Sequence, residues 1–428
     1  MNYAETLAWL YEKLPMFTRV GAEAYRKDIT NTVRLCAAIG DPQHRFKTIH
    51  VAGTNGKGSV SHMLASILQS AGYRTGLYTS PHLRDFRERI KVNGQLCPQV
   101  FVTRFTERIT TAIEEISPSF FEVTVAMAFE YFAEEQVDIA VIETGLGGRL
   151  DSTNIIMPLL SIITNIGWDH MNLLGDTLEL IAGEKAGIIK ENTPVIIGET
   201  IPETRPVFER RAADCHAPIV FAQERRYVTS TNYDPHRLEV EVADVHTDEH
   251  TRYQLDLPGI YQAKNILSVL EAVHQLRRMG FDIGHSALQQ GLLHVKRQTG
   301  LHGRWEIIQS NPDVVLDVAH NADGVRQMLA QLELSTYTQL HIVIGMVKDK
   351  DVDRVLELLP KYAAYYFTRA QIPRALEEDK LQQQAAQFGL SGQTFPNVPA
   401  AVNAALLHAG REDLVLVCGS VFVVGEVV

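Results

Sequence analysis

The sequence predicts a two-domain α/β protein. Short apolar runs alternate with amphipathic segments along the chain, which is typical of parallel sheets with helices on both faces. One of these runs leads directly into a Gly-rich turn that opens a helix, as in α/β domains that bind phosphate groups. A length of 428 residues with 45% hydrophobic composition is sufficient for at least two hydrophobic cores.

The N-terminal sheet is predicted from four strand-like runs, residues 48–52, 137–142, 159–164 and 194–198. A helix follows the first run, because apolar residues recur there at helical spacing. These apolar residues are Val60, Met63, Leu64, Ile67, Leu68 and Ala71. We therefore expect a P-loop-type parallel sheet domain, with helices on both faces, over residues 1–297.

The C-terminal part repeats the alternation on a smaller scale. Its strand-like runs are residues 314–316, 340–345, 365–368 and 414–418. They predict a smaller, Rossmann-like α/β domain over residues 298–428, and the polar, Gly-terminated segment 296–300 is the predicted linker. The polar and β-branched stretch 226–257 predicts an antiparallel excursion before a helix that starts near Ala263.

The turn after the first strand has the composition of a phosphate-binding loop. It consists of Gly53, Thr54, Asn55, Gly56, Lys57, Gly58 and Ser59. The glycines allow a polyphosphate to approach, the first helical N–H groups face it, and Lys57 adds a positive charge. In the usual P-loop a hydroxyl follows the lysine, whereas here Ser59 comes one residue late. We expect a nucleoside triphosphate here, with a magnesium ligand recruited from elsewhere.

Polar residues also follow other strand-like runs, at the edge where open parallel sheets bind ligands. Ser80 is a candidate magnesium ligand, although a plain Ser-Pro turn is an alternative. Glu143 ends an apolar strand, where an acid suits a magnesium ion. His170 is a candidate ligand for a divalent ion, oriented by Asp169. Lys185, taken alone, has the spacing of an ion-pair partner on a helix surface.

Composition and charge argue against several classes of protein. A net charge of −11 disfavours nonspecific binding to nucleic acid. No apolar run approaches membrane-spanning length, and the N-terminus lacks a signal-peptide pattern. The four cysteines (Cys36, Cys97, Cys215 and Cys418) lack CxxC spacing, which indicates a reducing compartment. We expect a soluble cytoplasmic protein with neither nucleic acid nor membrane as partner.

Five segments together resemble the folylpolyglutamate synthase/dihydrofolate synthase family of the Mur ligase superfamily. They are residues 53–59, 79–82, 143–151, 169–170 and 184–187. The resemblance covers essentially the whole chain. It implies a monomeric ATP-dependent ligase that acts on small molecules, joining L-glutamate to a pteroate or folate carboxylate through an acyl phosphate.

The resemblance also implies a nucleotide and metal site. Family members bind ATP with the loop that matches Gly53 to Ser59, and one magnesium ion with the residues that match Ser80 and Glu143. A second magnesium ion is implied at Glu143, His170 and Lys185, with the lysine carbamylated. Carbamylation converts a neutral amine into an oxygen-bearing anion, which suits a hard cation such as Mg²⁺.

Segments in the C-terminal half match further nucleotide-binding positions, which are Gln262, Asn265, Arg304 and Asp317. Gln262 and Asn265 match positions near the adenine, while Tyr261 replaces the usual histidine of the family. Arg304 matches an arginine that reaches the ATP phosphates, and His320 is expected near the transferred phosphate or the incoming glutamate. The implied catalytic set is Lys57, Lys185, Arg304 and His320.

The pteroate or folate site is implied at Ser119, Phe121 and Asp151. The segment 119–122 is similar to one that grips dihydropteroate in bifunctional bacterial members, and Phe121 has a ring that can stack on a flat heterocycle. Core packing is an equal alternative for Phe121 and its neighbour Phe120. A basic run would guide anionic acceptors or form a solvated charged face. It consists of Arg84, Arg87, Arg89 and Lys91.

Two alternative functions remain at the level of sequence. A Mur-type amino-acid ligase acting on a UDP-sugar would use the same chemistry. A non-catalytic ATP-binding switch would keep the phosphate loop but would not need the acid, histidine and lysine that accompany it. For an enzyme, we expect closure of the two domains about residues 296–300 during turnover.

Overall fold

The structure is a computed structural model, and it describes residues 1–16 and 28–428. Its first sheet contains β1 (Lys47–Ala52), β2 (Thr75–Tyr78), β3 (Ile90–Val92), β4 (Gln95–Leu96), β5 (Ile139–Glu143), β6 (Leu160–Ile163), β7 (Val195–Ile197) and β8 (Ile219–Phe221). Their order across the sheet is β4-β3-β2-β5-β1-β6-β7-β8. The parallel sheet predicted for this half is confirmed.

Strand β1 lies in the interior of this sheet, parallel to β5 on one side and β6 on the other. Val51 pairs with Glu143 and Ala52 with Ile163, so the strand ends that carry the predicted site lie next to one another. Strands β3 and β4 add an antiparallel edge beyond β2. That edge was not predicted, because short strands carry too few residues for a periodic signal.

The helices described around this sheet are α1 (Tyr3–Lys13), α2 (Thr30–Ala38), α3 (Lys57–Ser70), α4 (Gln99–Ile116), α5 (Phe120–Glu134), α6 (Met171–Leu174), α7 (Leu178–Ala186) and α8 (Arg205–Asp214). Helix α3 is the one predicted after the phosphate loop. Val60, Leu64 and Ile67 are fully buried in the largest core cluster. Because that helix is fixed by the core, its N-terminus is held rigidly at the end of β1.

An antiparallel sheet and three helices follow. The sheet consists of β9 (Arg226–Asp234), β10 (Arg237–Asp244) and β11 (His250–Leu255), which confirms the predicted excursion. The helices are α9 (Gln262–Arg278), α10 (His285–Leu293) and α11 (Val295–Thr299). The predicted linker therefore begins within α11, and Gly300 follows it with a left-handed φ of 64°.

The C-terminal half contains a second sheet and five helices among the described residues. Its strands are β12 (Glu306–Gln309), β13 (Asp313–Leu316), β14 (Leu340–Ile344), β15 (Ala364–Phe367), β16 (Gly392–Thr394) and β17 (Leu414–Cys418). Its helices are α12 (Ala322–Leu332), α13 (Val352–Leu358), α14 (Glu378–Gln387), α15 (Val398–His408) and α16 (Val421–Gly425). The order β12-β13-β17-β14-β15-β16 is parallel except for β12, so the Rossmann-like sheet is confirmed with one antiparallel edge.

Two further observations bear on the class of protein. No described helix combines the length and apolar character that crossing a membrane requires. The four cysteines are buried free thiols. The boundary between domains at residue 297/298 remains a prediction.

Candidate active site

A single large cavity lies where the carboxyl ends of the two parallel sheets face each other. Its volume is about 660 Å³. The phosphate loop lines it from the first sheet, while Asp317, Lys350 and Ser420 line it beyond the ends of β13, β14 and β17. Loops after several buried strands therefore meet in one solvent-accessible space, which is where open α/β sheets bind ligands.

At two positions of the phosphate loop, neighbouring side chains lie so close to the backbone that only glycine fits. Gly53 has a φ of +149°, and a Cβ there would lie 1.9 Å from Thr164 Oγ1. Gly56 has a φ of +84°, and a Cβ there would lie 2.3 Å from Asn265 Oδ1. The loop backbone thus lies directly against its neighbours, and its amides are free to approach an anion.

Two lysines contact the same carbonyl of this loop. Lys57 Nζ donates to Gly53 O at 3.0 Å and to Thr54 O at 3.1 Å. Lys185 Nζ donates to Gly53 O at 2.8 Å. Burial, with the charge of Lys57 adding to it, lowers the pKa of Lys185 to about 7. A large fraction of Lys185 is therefore a neutral amine near neutral pH, which is the form that carbamylation requires.

Glu143 and Ser80 are adjacent at the ends of neighbouring strands. The Ser80 N–H donates to Glu143 Oε2 at 3.3 Å. Burial raises the pKa of Glu143 to about 7, although the charges of Lys57 and Arg304 oppose that shift. A Cβ on Gly58 would lie 3.9 Å from both carboxylate oxygens, so this acid faces the first turn of α3.

Asp169 and His170 contact a lysine from the opposite sheet. Lys350 Nζ lies 2.5 Å from Asp169 Oδ1 and 3.1 Å from His170 Nε2. The side chains of Lys350 and Asp169 are only 6% and 11% exposed. The nearby charges of Lys350 and His170 hold the pKa of Asp169 well below its usual range, against the effect of burial. This ion pair joins the two sides of the cavity.

Polar pairs also join the two sides beside the phosphate loop. Asn55 and Asn321 exchange hydrogen bonds through their amides, at 3.3 and 3.1 Å. The Tyr261 hydroxyl donates to Asp317 Oδ2 at 2.9 Å, and the Trp305 N–H donates to the same oxygen at 3.0 Å. The Asn55–Asn321 and Tyr261–Asp317 contacts were not predicted, because each joins residues far apart in the chain.

Arg304 and His320 both line the cavity, and their contacts with phosphate remain predictions. Arg304 Nη2 would be 3.4 Å from a Cβ on Gly58, so its guanidinium faces the start of α3. The His320 ring lies between Val318 O, 2.9 Å from Nδ1, and Asp169 Oδ2, 3.5 Å from Nε2. Both side chains can therefore reach a group bound at the phosphate loop.

Gln262 and Asn265 have different positions. Asn265 lines the cavity, whereas the Gln262 side chain is fully buried and lies behind the loop. Its Nε2 donates to Ser59 Oγ at 3.1 Å, and its Oε1 accepts from Asn265 at 2.7 Å. Gln262 therefore supports Asn265 and fixes the Ser59 hydroxyl, and its contact with adenine remains a prediction.

The other end of the cavity is aromatic. Phe121 packs against Gly145, whose Cβ would lie 2.4 Å from the ring, and it lines the cavity. Phe120 belongs to the core, with Arg89 5.6 Å from its ring centroid. Ser119 caps α5 by accepting from Glu122 N at 3.3 Å. Both phenylalanines line the cavity and both pack in or against the core cluster, so core packing and ligand contact stay open for each.

The four residues of the basic run Arg84, Arg87, Arg89 and Lys91 differ in burial. Arg89 and Lys91 are 5% and 4% exposed, so a solvated charged face is wrong for these two. Arg84 is exposed, and Arg87 pairs with Asp85 at 2.7 Å. The difference follows from position, because Arg89 immediately precedes β3 and Lys91 lies within it, where every residue is buried, whereas Arg84 and Arg87 come before the strand. Of the four, only Arg89 lines the cavity.

The donor sets implied for magnesium can be tested against this geometry. Ser80 and Glu143 fit one ion, since both line the cavity and both offer the oxygen ligands that Mg²⁺ prefers. For the second ion, Lys350 lies beside His170, so a cation already occupies that neighbourhood. No group of three His, Cys, Asp or Glu side chains converges in residues 1–16 and 28–428, and a second site would need the oxygen atoms of a carbamylated Lys185.

Lys350 is the cavity residue that sequence reasoning missed. It lies in the charged run Lys348, Asp349, Lys350, Asp351, shortly after the predicted strand 340–345. The same argument that selected Ser80 and Glu143, polar residues beyond a buried parallel strand, applies to this run. Its partner Asp169 was expected only to orient His170.

Comparison with known families and structures agrees with this geometry. The Mur ligase middle domain matches residues 51–273, and the Mur ligase glutamate ligase domain matches residues 303–421. The dihydrofolate synthase/folylpolyglutamate synthase of Bacillus subtilis is 33% identical, covering 99% of this chain and 98% of that protein. The protein of the same name in Escherichia coli is 35% identical over 88% of this chain and 85% of its own.

Solved structures match over the full length. E. coli FolC in complex with DHPP and ADP has a TM-score of 0.86 and 31% identity, covering 100% of this chain and 97% of that one. Mycobacterium tuberculosis folylpolyglutamate synthase, complexed with ADP and AMPPCP, has a TM-score of 0.87 and 29% identity, covering 100% and 98%. The likeness includes both sheets, since it covers the whole of this chain.

Proposed function

This chain belongs to the dihydrofolate synthase/folylpolyglutamate synthase family of Mur ligases, and from that premise we propose that it joins L-glutamate to the carboxylate of a pteroate or folate with ATP. Both reactions of the family, dihydropteroate to dihydrofolate and tetrahydrofolate to its polyglutamates, are included in the proposal. Support comes from the high-coverage relatives and from the composition of the cavity.

One observation supports this function above the others. Cationic side chains from both sheets surround the phosphate loop, although the whole chain has a net charge of −11. They are Lys57, Arg304 and Lys350. A reaction that brings a carboxylate to a triphosphate needs this local charge, because anions repel each other.

The first step activates the carboxylate. Its oxygen attacks the γ-phosphorus of ATP, so the new O–P bond forms as the bond between the γ-phosphorus and the leaving ADP oxygen breaks. The loop amides and Lys57 hold the phosphates in line, and Arg304 faces the same region from the other sheet. The residues supply position and charge, and no side chain forms a covalent bond.

The second step forms the amide. The glutamate amine attacks the acyl carbon, the C–N bond forms, the C–O bond to phosphate breaks, and the amine loses a proton. His320 and Lys350 lie at the wall from which the amino acid would enter. Closing the cavity excludes water, which would otherwise hydrolyse the acyl phosphate. The cross-sheet pair between Lys350 and Asp169 assists that closure.

Magnesium is part of the proposal. When bound, the ion would neutralise phosphate oxygens, and Ser80 with Glu143 would hold it. Lys185, as a carbamate, would complete a second site with His170 and Glu143. Burial keeps Lys185 partly neutral, which favours its reaction with carbon dioxide.

The acceptor and nucleotide occupy opposite ends of the cavity in this proposal. The aromatic end with Ser119, Phe121 and Asp151 binds the pterin, and the end with Asn265 and Asp317 binds the nucleoside. We infer a monomer that acts in the cytoplasm, and the free thiols support a reducing compartment.

The test is ADP release by the pure protein with ATP, magnesium and L-glutamate. Stimulation by both dihydropteroate and tetrahydrofolate is the expected result. Stimulation by tetrahydrofolate alone would restrict the proposal to chain extension. Stimulation by neither, but by a UDP-linked sugar acceptor, would overturn it in favour of the Mur-type ligase. ADP release that does not depend on any acceptor would indicate a non-catalytic ATP-binding switch.

A further inference from the structure

A buried polar chain runs from the centre of the first sheet to the acceptor end of the cavity. His50 Nε2 lies 2.8 Å from Thr153 Oγ1, and the Thr153 hydroxyl donates to Asp151 Oδ1 at 2.5 Å. His50, Thr153 and Asp151 are 0%, 0% and 3% exposed. His50 belongs to β1, three residues before the phosphate loop, and none of the chemistry proposed above uses it.

The direction of these hydrogen bonds fixes the tautomer of the histidine. Burial raises the pKa of Asp151, but its carboxylate accepts three backbone N–H groups, from Thr153 at 3.0 Å and from Gly145 and Leu146 at 2.8 Å each, which stabilise the ionised form against that effect. The single hydroxyl proton of Thr153 therefore points to the carboxylate. His50 must donate in turn, so its Nε2 carries the proton.

The other ring nitrogen of His50 shows why the residue is informative. Nδ1 is buried and has no hydrogen-bond partner, and an orphaned polar atom in a core is destabilising. Burial lowers the pKa of His50 to about 3, so the ring stays neutral. An aliphatic side chain at this position would avoid burying an unpaired Nδ1 but could not donate a hydrogen bond to Thr153. The Nε2–H donor is therefore what a histidine contributes here.

The far end of the chain reaches the acceptor. Both oxygens of Asp151 already accept two hydrogen bonds, and Oδ2 binds the backbone of Gly145 and Leu146. Gly145 is in turn the surface against which Phe121 packs. We propose that His50 and Thr153 are positioning residues for the acceptor: together they hold Asp151, and through it the Gly145 backbone, in the geometry that receives the pterin.

This proposal deepens the proposed function and rests on it for the identity of the acceptor. The chain contacts the acceptor end through Asp151, whereas the loop that would hold ATP is fixed separately by Thr164 and Asn265. Loss of the chain should consequently weaken binding of the acceptor and leave that of ATP unchanged.

The kinetic test uses paired variants. His50→Leu and Thr153→Val remove the donor and the hydroxyl, whereas His50→Gln and Thr153→Ser retain them. The first pair should raise KM for dihydropteroate about tenfold, as expected for one buried hydrogen bond, with kcat and the KM for ATP within about twofold of wild type. The second pair should restore the KM. Equal losses in every kinetic constant, or no change in Thr153→Val, would overturn the proposal.

A second measurement needs neither activity nor a stable variant. In the nitrogen spectrum of ¹⁵N-histidine-labelled wild-type protein, the ring assigned to His50 should be neutral, protonated at Nε2, and should not titrate down to about pH 5. A His50 ring protonated at Nδ1, or one that titrates in this range, would overturn the chain. If wild type shows no acceptor-dependent ADP release, the proposed function fails. The spectrum still tests whether His50 donates to Thr153.

Discussion

Replacing Lys350 with methionine tests whether the ion pair across the cavity is needed for turnover. Methionine has a similar length and flexibility but lacks the charge. In the structure, Lys350 Nζ contacts Asp169 and His170, and both members of the ion pair are nearly buried. The substitution leaves the Asp169 carboxylate without its closest cation.

The expected size of the effect follows from the partners that remain. Removing one member of a buried ion pair typically costs about 3–5 kcal/mol. Here Asn321 Nδ2 at 3.4 Å and His320 Nε2 at 3.5 Å still face the Asp169 carboxylate, and the cavity admits water. We therefore expect about 2 kcal/mol, which corresponds to about a 30-fold loss in kcat/KM.

The assay is ADP release in the presence of tetrahydrofolate and L-glutamate. Lys348→Met is the matched control, because that exposed lysine donates only to Pro373 O at 3.3 Å, and it should stay within about twofold of wild type. An Asp169→Asn and Lys350→Met double-mutant cycle isolates the pair. If Lys350→Met had the same kcat/KM as Lys348→Met, the ion pair between Lys350 and Asp169 would not be needed for turnover.

Three other predictions concern single residues. Burial raises the pKa of Glu143 from 4.5 to about 7, so its ionisation lowers the stability of the ligand-free protein as pH rises between these values. In urea unfolding, the stability of Glu143→Gln relative to wild type should therefore increase from pH 5 to 7.5. A difference in unfolding free energy that stays constant over this range would contradict the prediction. Gly58→Ala, with a Cβ 3.4 Å from Arg304 Nη2, should lower kcat/KM for ATP about tenfold while the melting temperature stays near that of wild type. Gly183 lies within helix α7, and among the described residues a Cβ there would meet no atom within 4 Å apart from the helix's own backbone. Because alanine favours the helix more than glycine does, calorimetry should find Gly183→Ala stabilised by about 0.5–1 kcal/mol, without loss of activity.

The strands that flank the site could be predicted from sequence because each is a buried apolar run. Strands β1, β5, β6, β13, β14 and β17 appear at the predicted positions within one or two residues. A strand buried on both faces of a parallel sheet has an unusual composition, which can be recognised without knowing its neighbours. The edge strands β3, β4, β12 and β16 lack that composition and were not predicted.

The same difference applies to the site. Glu143, Ser80 and the phosphate loop were selected by position, since polar residues at the ends of parallel strands meet at one edge. Lys350 met the same criterion, but its partner on the other sheet could not be inferred. The burial of Arg89 and Lys91 depended on the packing of β3, which is buried at every residue, and the run of charges did not reveal that packing.

Local sequence determined the strands, the phosphate loop and the family, because each is a short pattern whose physical cause lies in neighbouring residues. The tertiary structure alone decided which distant side chains meet. Asp169 with Lys350, Asn55 with Asn321, Tyr261 with Asp317 and His50 with Thr153 are each separated by more than fifty residues. Such contacts depend on how the two sheets and their loops pack, and a spacing along the chain carries no information about that packing.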